Sequence, residues 1–148
     1  MPVIVIGADT PTGRAIVHRL AATGGEVRAF VSAAPEAAVL RARGVKVAVG
    51  DLSDASHIGA AAAGAFSAIL LPAATVDGRL LSFAAPAGAV TGWLRAADEA
   101  GVSRVIVVGE AADLRLEGRP QVVVVPTAGR TEDEIAAAVV ALDEADRL

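Results

Sequence analysis

The sequence predicts an α/β fold of three layers: a doubly wound, mostly parallel sheet of about six strands with helices on both faces. Three observations predict it. Short β-branched apolar runs alternate with longer segments of helical periodicity along all 148 residues. Glycines fall where the helices should stop, at Gly24, Gly44, Gly64 and Gly101. The composition is 54% hydrophobic but only 3% aromatic, with alanine and valine dominant. Such small side chains suit packing between helices and a parallel sheet.

The elements follow in order. A first strand, Val3–Ile6, runs into Gly7 and a polar turn. The first helix runs from about Thr12 to Ala22, and Thr23-Gly24-Gly25 stops it. Val27–Val31 is the second strand, and Pro35 starts a helix that ends near Arg43-Gly44. Val45–Val49 is the third strand, followed by a short helix to Ala63 capped by Ser53 or Asp54. Ser67–Leu71 is the fourth strand, and Pro72–Pro86 reads as a loop with at most a turn of helix. A helix over Ala87–Ala100 leads to the fifth strand, Arg104–Val108. The sixth strand is Val122–Val125, and Thr131 with Glu134 forms a capping box for a last helix, Glu132–Ala145. The expected strand order is 3-2-1-4-5-6 in a single domain, residues 1–148. One connection is ambiguous. Gly109–Gln121 is marginal for a helical crossover of at least about 10–12 residues, so it is either an irregular link or the prelude to an antiparallel sixth strand.

Composition excludes several function classes. The net charge is −4, and neither a basic run nor an aromatic stacking platform is present, which argues against a nucleic-acid partner. Cysteine is absent, so no disulfide, thiolate nucleophile or cysteine metal site is expected. His18 and His57 have no carboxylates at metal-ligand spacing, so no metal site is expected either. A nucleophile elbow of the Gly-x-Ser-x-Gly type is also missing. No apolar run approaches the roughly 20 residues that span a bilayer, and Met1-Pro2 leads straight into the first strand without room for a signal peptide. The expectation is a cytoplasmic protein with no membrane partner.

The chemistry centres on Gly7-Ala8-Asp9-Thr10-Pro11-Thr12-Gly13. A strand, a tight turn and a helix in succession place backbone N–H groups and a helix N-terminus under a phosphate. Gly7 permits the sharp exit from the strand, Gly13 allows close packing of the helix, and Pro11 sits where a missing N–H costs nothing. Thr10 puts a β-branched side chain where a dinucleotide turn has its middle glycine, an expected obstruction. Asp9 places a carboxylate beside the phosphates or, alternatively, caps the helix by accepting from the Thr12 N–H.

This turn resembles the G-A-T-G-P-T-G of NmrA-like proteins, members of the atypical short-chain dehydrogenase/reductase group. Glu26–Val31, Gly50-Asp51-Leu52-Ser53-Asp54 and Ala100–Val108 resemble that family's second strand, its G-D-L-x-D segment and its helix-to-strand junction before the fifth strand. The resemblance covers about two-thirds of the chain in the right order. It implies a Rossmann-like fold and NAD(P) bound at Gly7, Thr10, Pro11, Thr12, Gly13, Ser32, Asp51 and Leu52. Asp51 would lie beside the adenine, where its carboxylate accepts from the exocyclic amine; the alternative is a carboxylate serving a helix N-terminus.

Ser32-Ala33-Ala34, at the tip of the second strand, is neither acidic nor basic. That leaves NAD and NADP both open, with a tilt to NADP because no carboxylate opposes a 2′-phosphate there; Arg14 and Arg28 are the nearest cations. The family's Tyr-x-x-x-Lys pair is missing: there is no tyrosine, and the sole lysine, Lys46, lies in the third strand. Acid-assisted carbonyl reduction is therefore not expected. Hydride transfer to a flavin or quinone-type acceptor demands less, with Glu110 and Asp77 as the candidate proton-transfer residues and Thr75 beside them. The family's substrate-covering region has no counterpart in this sequence. The functional readings are a simple oxidoreductase or redox sensor, an interaction module that has lost its cofactor, and a non-redox isomerase or cyclase using the same cleft. Gly88, Ala89, Gly92 and Ala96 give one helix a small-residue face with Trp93 as a large anchor, from which a homodimer is expected.

Overall fold

Four consecutive buried residues, Val3–Ile6, form β1 at the middle of a six-stranded sheet. The computed structural model describes residues 1–75, 86–109 and 121–145. Within them the other strands are β2 (Val27–Val31), β3 (Lys46–Val49), β4 (Ser67–Leu70), β5 (Arg104–Val108) and β6 (Gln121–Val125). The helices are α1 (Pro11–Ala22), α2 (Ala34–Ala42), α3 (Ala55–Ala62), α4 (Pro86–Glu99) and α5 (Glu132–Glu144), and a 3-10 turn, Pro72–Thr75, follows β4. The order is β3-β2-β1-β4-β5-β6, as the sequence predicts. Every neighbouring pair is parallel. Val108 lies opposite Val125 in a parallel ladder, so the antiparallel alternative for β6 is excluded. The residues that join β5 to β6, 110–120, lie outside the described residues.

Alternation along β1 divides the interior into two cores. Val3 and Val5 pack with Ile16, Val17 and Leu20 of α1 and with Ile135 and Val139 of α5. Ile4 and Ile6 pack with Ile58 of α3 and with Val90, Trp93 and Leu94 of α4. Helix starts follow local chemistry. Asp54 caps α3 by accepting from the His57 amide at 3.2 Å. Thr131 caps α5 by accepting from the Glu134 amide at 3.2 Å, and its hydroxyl also meets the Glu134 carboxylate at 3.2 Å. α2 has no side-chain cap and relies on Pro35 in its first turn.

Two arginines hold the amino edge of the sheet. Arg104, only 3% exposed, donates from Nη1 to the carbonyls of Leu142 (2.8 Å) and Asp143 (3.0 Å) at the end of α5, with its guanidinium 5.3 Å from the Phe66 ring centroid. Arg28 donates to the carbonyls of Ala61 (3.2 Å) and Ala63 (2.6 Å) at the end of α3. A cation on the orphan carbonyls of a helix C-terminus also opposes the helix dipole. Glu26 pairs with both Arg28 (2.9 Å) and Lys46 (2.5 Å), so the sole lysine serves an ion-pair network.

Trp93 differs from its expected role. It is 1% exposed, and its Nε1 donates to the Leu52 carbonyl at 2.6 Å. The side chain turns into the core because the α3–α4 layer needs one large residue among its alanines; it is no surface anchor.

Candidate functional site

The carboxyl ends of β1, β2, β3 and β4 bring the turns after them to one edge, the place where open α/β sheets bind ligands. The β1–α1 turn is built on two close approaches. Gly7 has φ +86°, and a Cβ there would lie 2.7 Å from Ala74 Cβ in the 3-10 turn after β4. A Cβ on Gly13 would lie 2.8 Å from Gly7 O and 2.9 Å from Ala8 Cα. Those are backbone atoms of the turn itself, so any side chain at Gly13 would push it open. The amides of Gly7 and Ala8 both reach the Phe30 carbonyl of β2, at 3.0 and 3.4 Å, which ties the turn to its neighbour.

Thr10 does not stand over the turn as an obstruction. It is 5% exposed, and its Oγ1 accepts from the Gly13 amide (3.0 Å) and donates to the Gly7 carbonyl (3.2 Å). The hydroxyl finds these partners inside the turn, so the side chain becomes an internal strut and the N-cap of α1. The Arg14 amide is taken by the Thr10 carbonyl at 2.9 Å. Pro11 brings no N–H to the first turn, and the Thr12 amide has no acceptor within the helix. The turn thus keeps a helix N-terminus at the edge of the sheet, a setting that suits a diphosphate.

Asp9 does not cap α1 either. Its carboxylate is buried, and Oδ2 accepts from the amide (3.1 Å) and hydroxyl (2.7 Å) of Ser32 at the end of β2. Two donors on one oxygen offset much of the charge that the sequence places beside a phosphate. Beyond β3, Asp51 Oδ1 accepts from the amide (2.9 Å) and hydroxyl (2.6 Å) of Ser53, closing a tight turn. Asp54, one turn on, does the helix capping, so Asp51 is not the helix carboxylate. Leu52 is fully buried and contributes its carbonyl to Trp93, so its side chain lies in the core and not on the edge. His57 packs edge-on to Phe30 at 5.0 Å, and the absence of a side chain at Gly50 makes room for it.

The structure therefore gathers Gly7, Thr10, Pro11, Thr12, Gly13 and Ser32 into one connected turn. Thr75 is buried and donates to the Pro72 carbonyl at 2.6 Å within the 3-10 turn. Asp77 and Glu110, the expected proton-transfer pair, lie outside the described residues. Two features had no signal in the sequence. The first is the approach of Ala74 to Gly7. The second is an ion pair between Arg14 and Glu36 across 22 positions, with Nη2 to Oε1 at 2.6 Å and Nε to Oε2 at 3.1 Å. The Glu36 carboxylate, and then the charges of Asp9 and Glu132, hold the guanidinium above its already high ordinary pKa. A separate groove of about 490 Å³ between α1 and α2, lined by Val17, Ala21, Leu40 and Val45, does not touch the turn.

A family model described as NAD(P)H-binding matches residues 7–146. No curated protein sequence matches the chain. Among solved structures, the chain is similar to ChuY, an anaerobillin reductase from Escherichia coli O157:H7, with 19% identity, a TM-score of 0.68, and coverage of 99% of this chain and 92% of that one. It is also similar to the NADPH-dependent quinone oxidoreductase QOR2 of Escherichia coli in complex with NADPH, with 24% identity, a TM-score of 0.61, and coverage of 72% and 36%. A third likeness is the triphenylmethane reductase of Citrobacter sp. complexed with NADP(H), with 23% identity, a TM-score of 0.62, and coverage of 74% and 37%. The chain thus spans little more than a third of the quinone and triphenylmethane reductases but nearly all of ChuY.

Proposed function

Because the chain belongs to the NAD(P)H-binding family, we propose that it is a simple oxidoreductase that binds a reduced nicotinamide dinucleotide along the carboxyl edge of its sheet and acts on a conjugated acceptor of the quinone or flavin type. The observation that carries the reading is the tight β1–α1 turn, closed on Gly13 so that the α1 N-terminus stands at the carboxyl edge of the sheet. Gly7 and Gly13 shape the diphosphate site, Thr10 holds it rigid, and the Thr12 amide stands at the α1 N-terminus as a donor. Asp51 sits beside the adenine position and Ser32 at the ribose. When bound, the dinucleotide supplies the hydride. The chain's part is to bind, orient and exclude water, because a conjugated acceptor takes its proton without a dedicated phenol. Glu110 and Asp77 remain our candidates for proton transfer. The names of the similar structures, quinone, triphenylmethane and anaerobillin reductases, support this acceptor class.

The same reading places the protein in the cytoplasm, where this cofactor is maintained, as a single domain of residues 1–148 working as a homodimer. Calorimetric titration with NADH and NADPH tests binding, and oxidation of the bound nucleotide by a quinone and by a simple ketone tests chemistry. Expected are binding, quinone turnover and no ketone turnover, since tyrosine is absent. Failure to bind either nucleotide overturns the reading in favour of an interaction module. Sedimentation velocity tests the dimer.

A further inference from the structure

Four residues from three segments meet at the end of β2. Asp9 of the turn is clasped by Ser32. Arg14, in the first turns of α1, grips Glu36 of α2 through two nitrogens, and its Nη2 also lies 3.5 Å from the Asp9 carbonyl. In a doubly wound sheet this corner receives the 2′ position of the adenosine ribose. Arg14 is therefore the cation of the described β1–α1 turn that stands where a 2′-phosphate would arrive, and Glu36 already occupies its fork.

A guanidinium fork presents the same pair of parallel N–H donors to a carboxylate and to a phosphate. The two anions compete for one partner. The pair lies at the surface, with side chains 48% and 28% exposed, so the exchange needs no rearrangement of the core. Asp9 and Glu132 add negative potential at the guanidinium but do not fill its fork. The geometry points to Glu36 as a resident competitor for the 2′-phosphate of NADPH at Arg14, so that this ion pair sets the preference between NADPH and NADH. The inference rests on the reading that a dinucleotide binds at this edge.

The test is calorimetry on the full chain at fixed salt with NADH, NADPH, 5′-AMP and 2′,5′-ADP. Glu36→Gln keeps the shape of the side chain and removes the competing charge. It should tighten NADPH and 2′,5′-ADP by about five-fold, as fits an exposed pair, and leave NADH and 5′-AMP within about two-fold. Arg14→Gln in the Glu36→Gln background should cancel the gain, while Arg14→Lys should retain part of it. Circular dichroism confirms that each variant is folded. If Glu36→Gln moves NADH and NADPH alike, or if the gain survives Arg14→Gln, the competition is refuted while dinucleotide binding stands. If the unaltered protein binds none of the four probes, the inference falls together with the reading beneath it.

Discussion

The two edges of the sheet use charge in opposite ways. At the amino edge Arg28 and Arg104 are committed to the carbonyls that end α3 and α5, and Arg104 is almost wholly enclosed. At the carboxyl edge Arg14, the one arginine beside the turn among the described residues, sits half in solvent and holds a carboxylate that another anion can replace. Buried cations bonded to backbone are expensive to disturb, whereas exposed ion pairs are cheap to exchange. The first edge is built for permanence, and the second keeps its charge available.

Breaking the amino edge should cost most. Arg104→Ala removes two charge-assisted bonds to α5 and the guanidinium over Phe66, and urea denaturation should show a loss of about 3 kcal/mol. Arg104→Met, which restores bulk without donors, should recover only part of it; full recovery would show that packing, not capping, holds α5. At the carboxyl edge the largest effect belongs to Gly13→Ala. The new methyl must displace Gly7 O and Ala8 Cα, so stability should fall by about 2 kcal/mol and dinucleotide titration should show binding abolished. Unchanged binding would mean that the turn is not the diphosphate site.

Thr10→Val keeps the side chain's volume and removes its hydroxyl. As the loss of an N-cap it should lower stability by about 1 kcal/mol without raising nucleotide affinity. A rise in affinity with Thr10→Gly would restore the obstruction that the sequence alone suggests. The smallest effect concerns Glu26, whose carboxyl is held below its ordinary value of 4.5 first by the hydrogen bond from Lys46 and then by that from Arg28. A carboxylate depressed in the folded state contributes stability above the unfolded value, and that contribution fades as the pH drops below 4.5 and through the lower folded value. Glu26→Gln should flatten the acid limb of the stability curve over that window, by slightly lowering stability at neutral pH while leaving it unchanged well below the folded value. An unaltered acid limb would show that Glu26 is not linked to folding.

The glycine stops and the Thr131–Glu134 box were legible because each is a local pattern, read within a few residues, and the strand order followed from the fold class that the repeated β-α-β units imply. What escaped was direction. The sequence places a threonine at the middle of the turn, but only the fold sends its hydroxyl back to Gly7 and Gly13. It places Asp9 near a phosphate, but only the neighbouring strand supplies Ser32 to bind it, 23 positions away. The tilt toward NADP rested on Ser32-Ala33-Ala34, where no carboxylate is written; the fold brings Glu36 to that corner from the next helix. Trp93 looked like a surface anchor because a helix of small residues has no obvious inside, and its partner, Leu52, is 41 positions away.

That indole bond has an optical consequence. Trp93 is the single tryptophan in a chain without tyrosine, so the protein's near-ultraviolet emission comes essentially from one buried ring. The ring's nitrogen is tied to the backbone of the loop that follows β3. Emission from tryptophan overlaps the absorption of reduced nicotinamide but not of the oxidised form. The chain therefore carries its own donor chromophore, fixed in the core and bonded to the loop that follows β3. Binding and oxidation of a nucleotide can be followed as quenching and recovery of that light, with no label added and no second ring to confuse the signal.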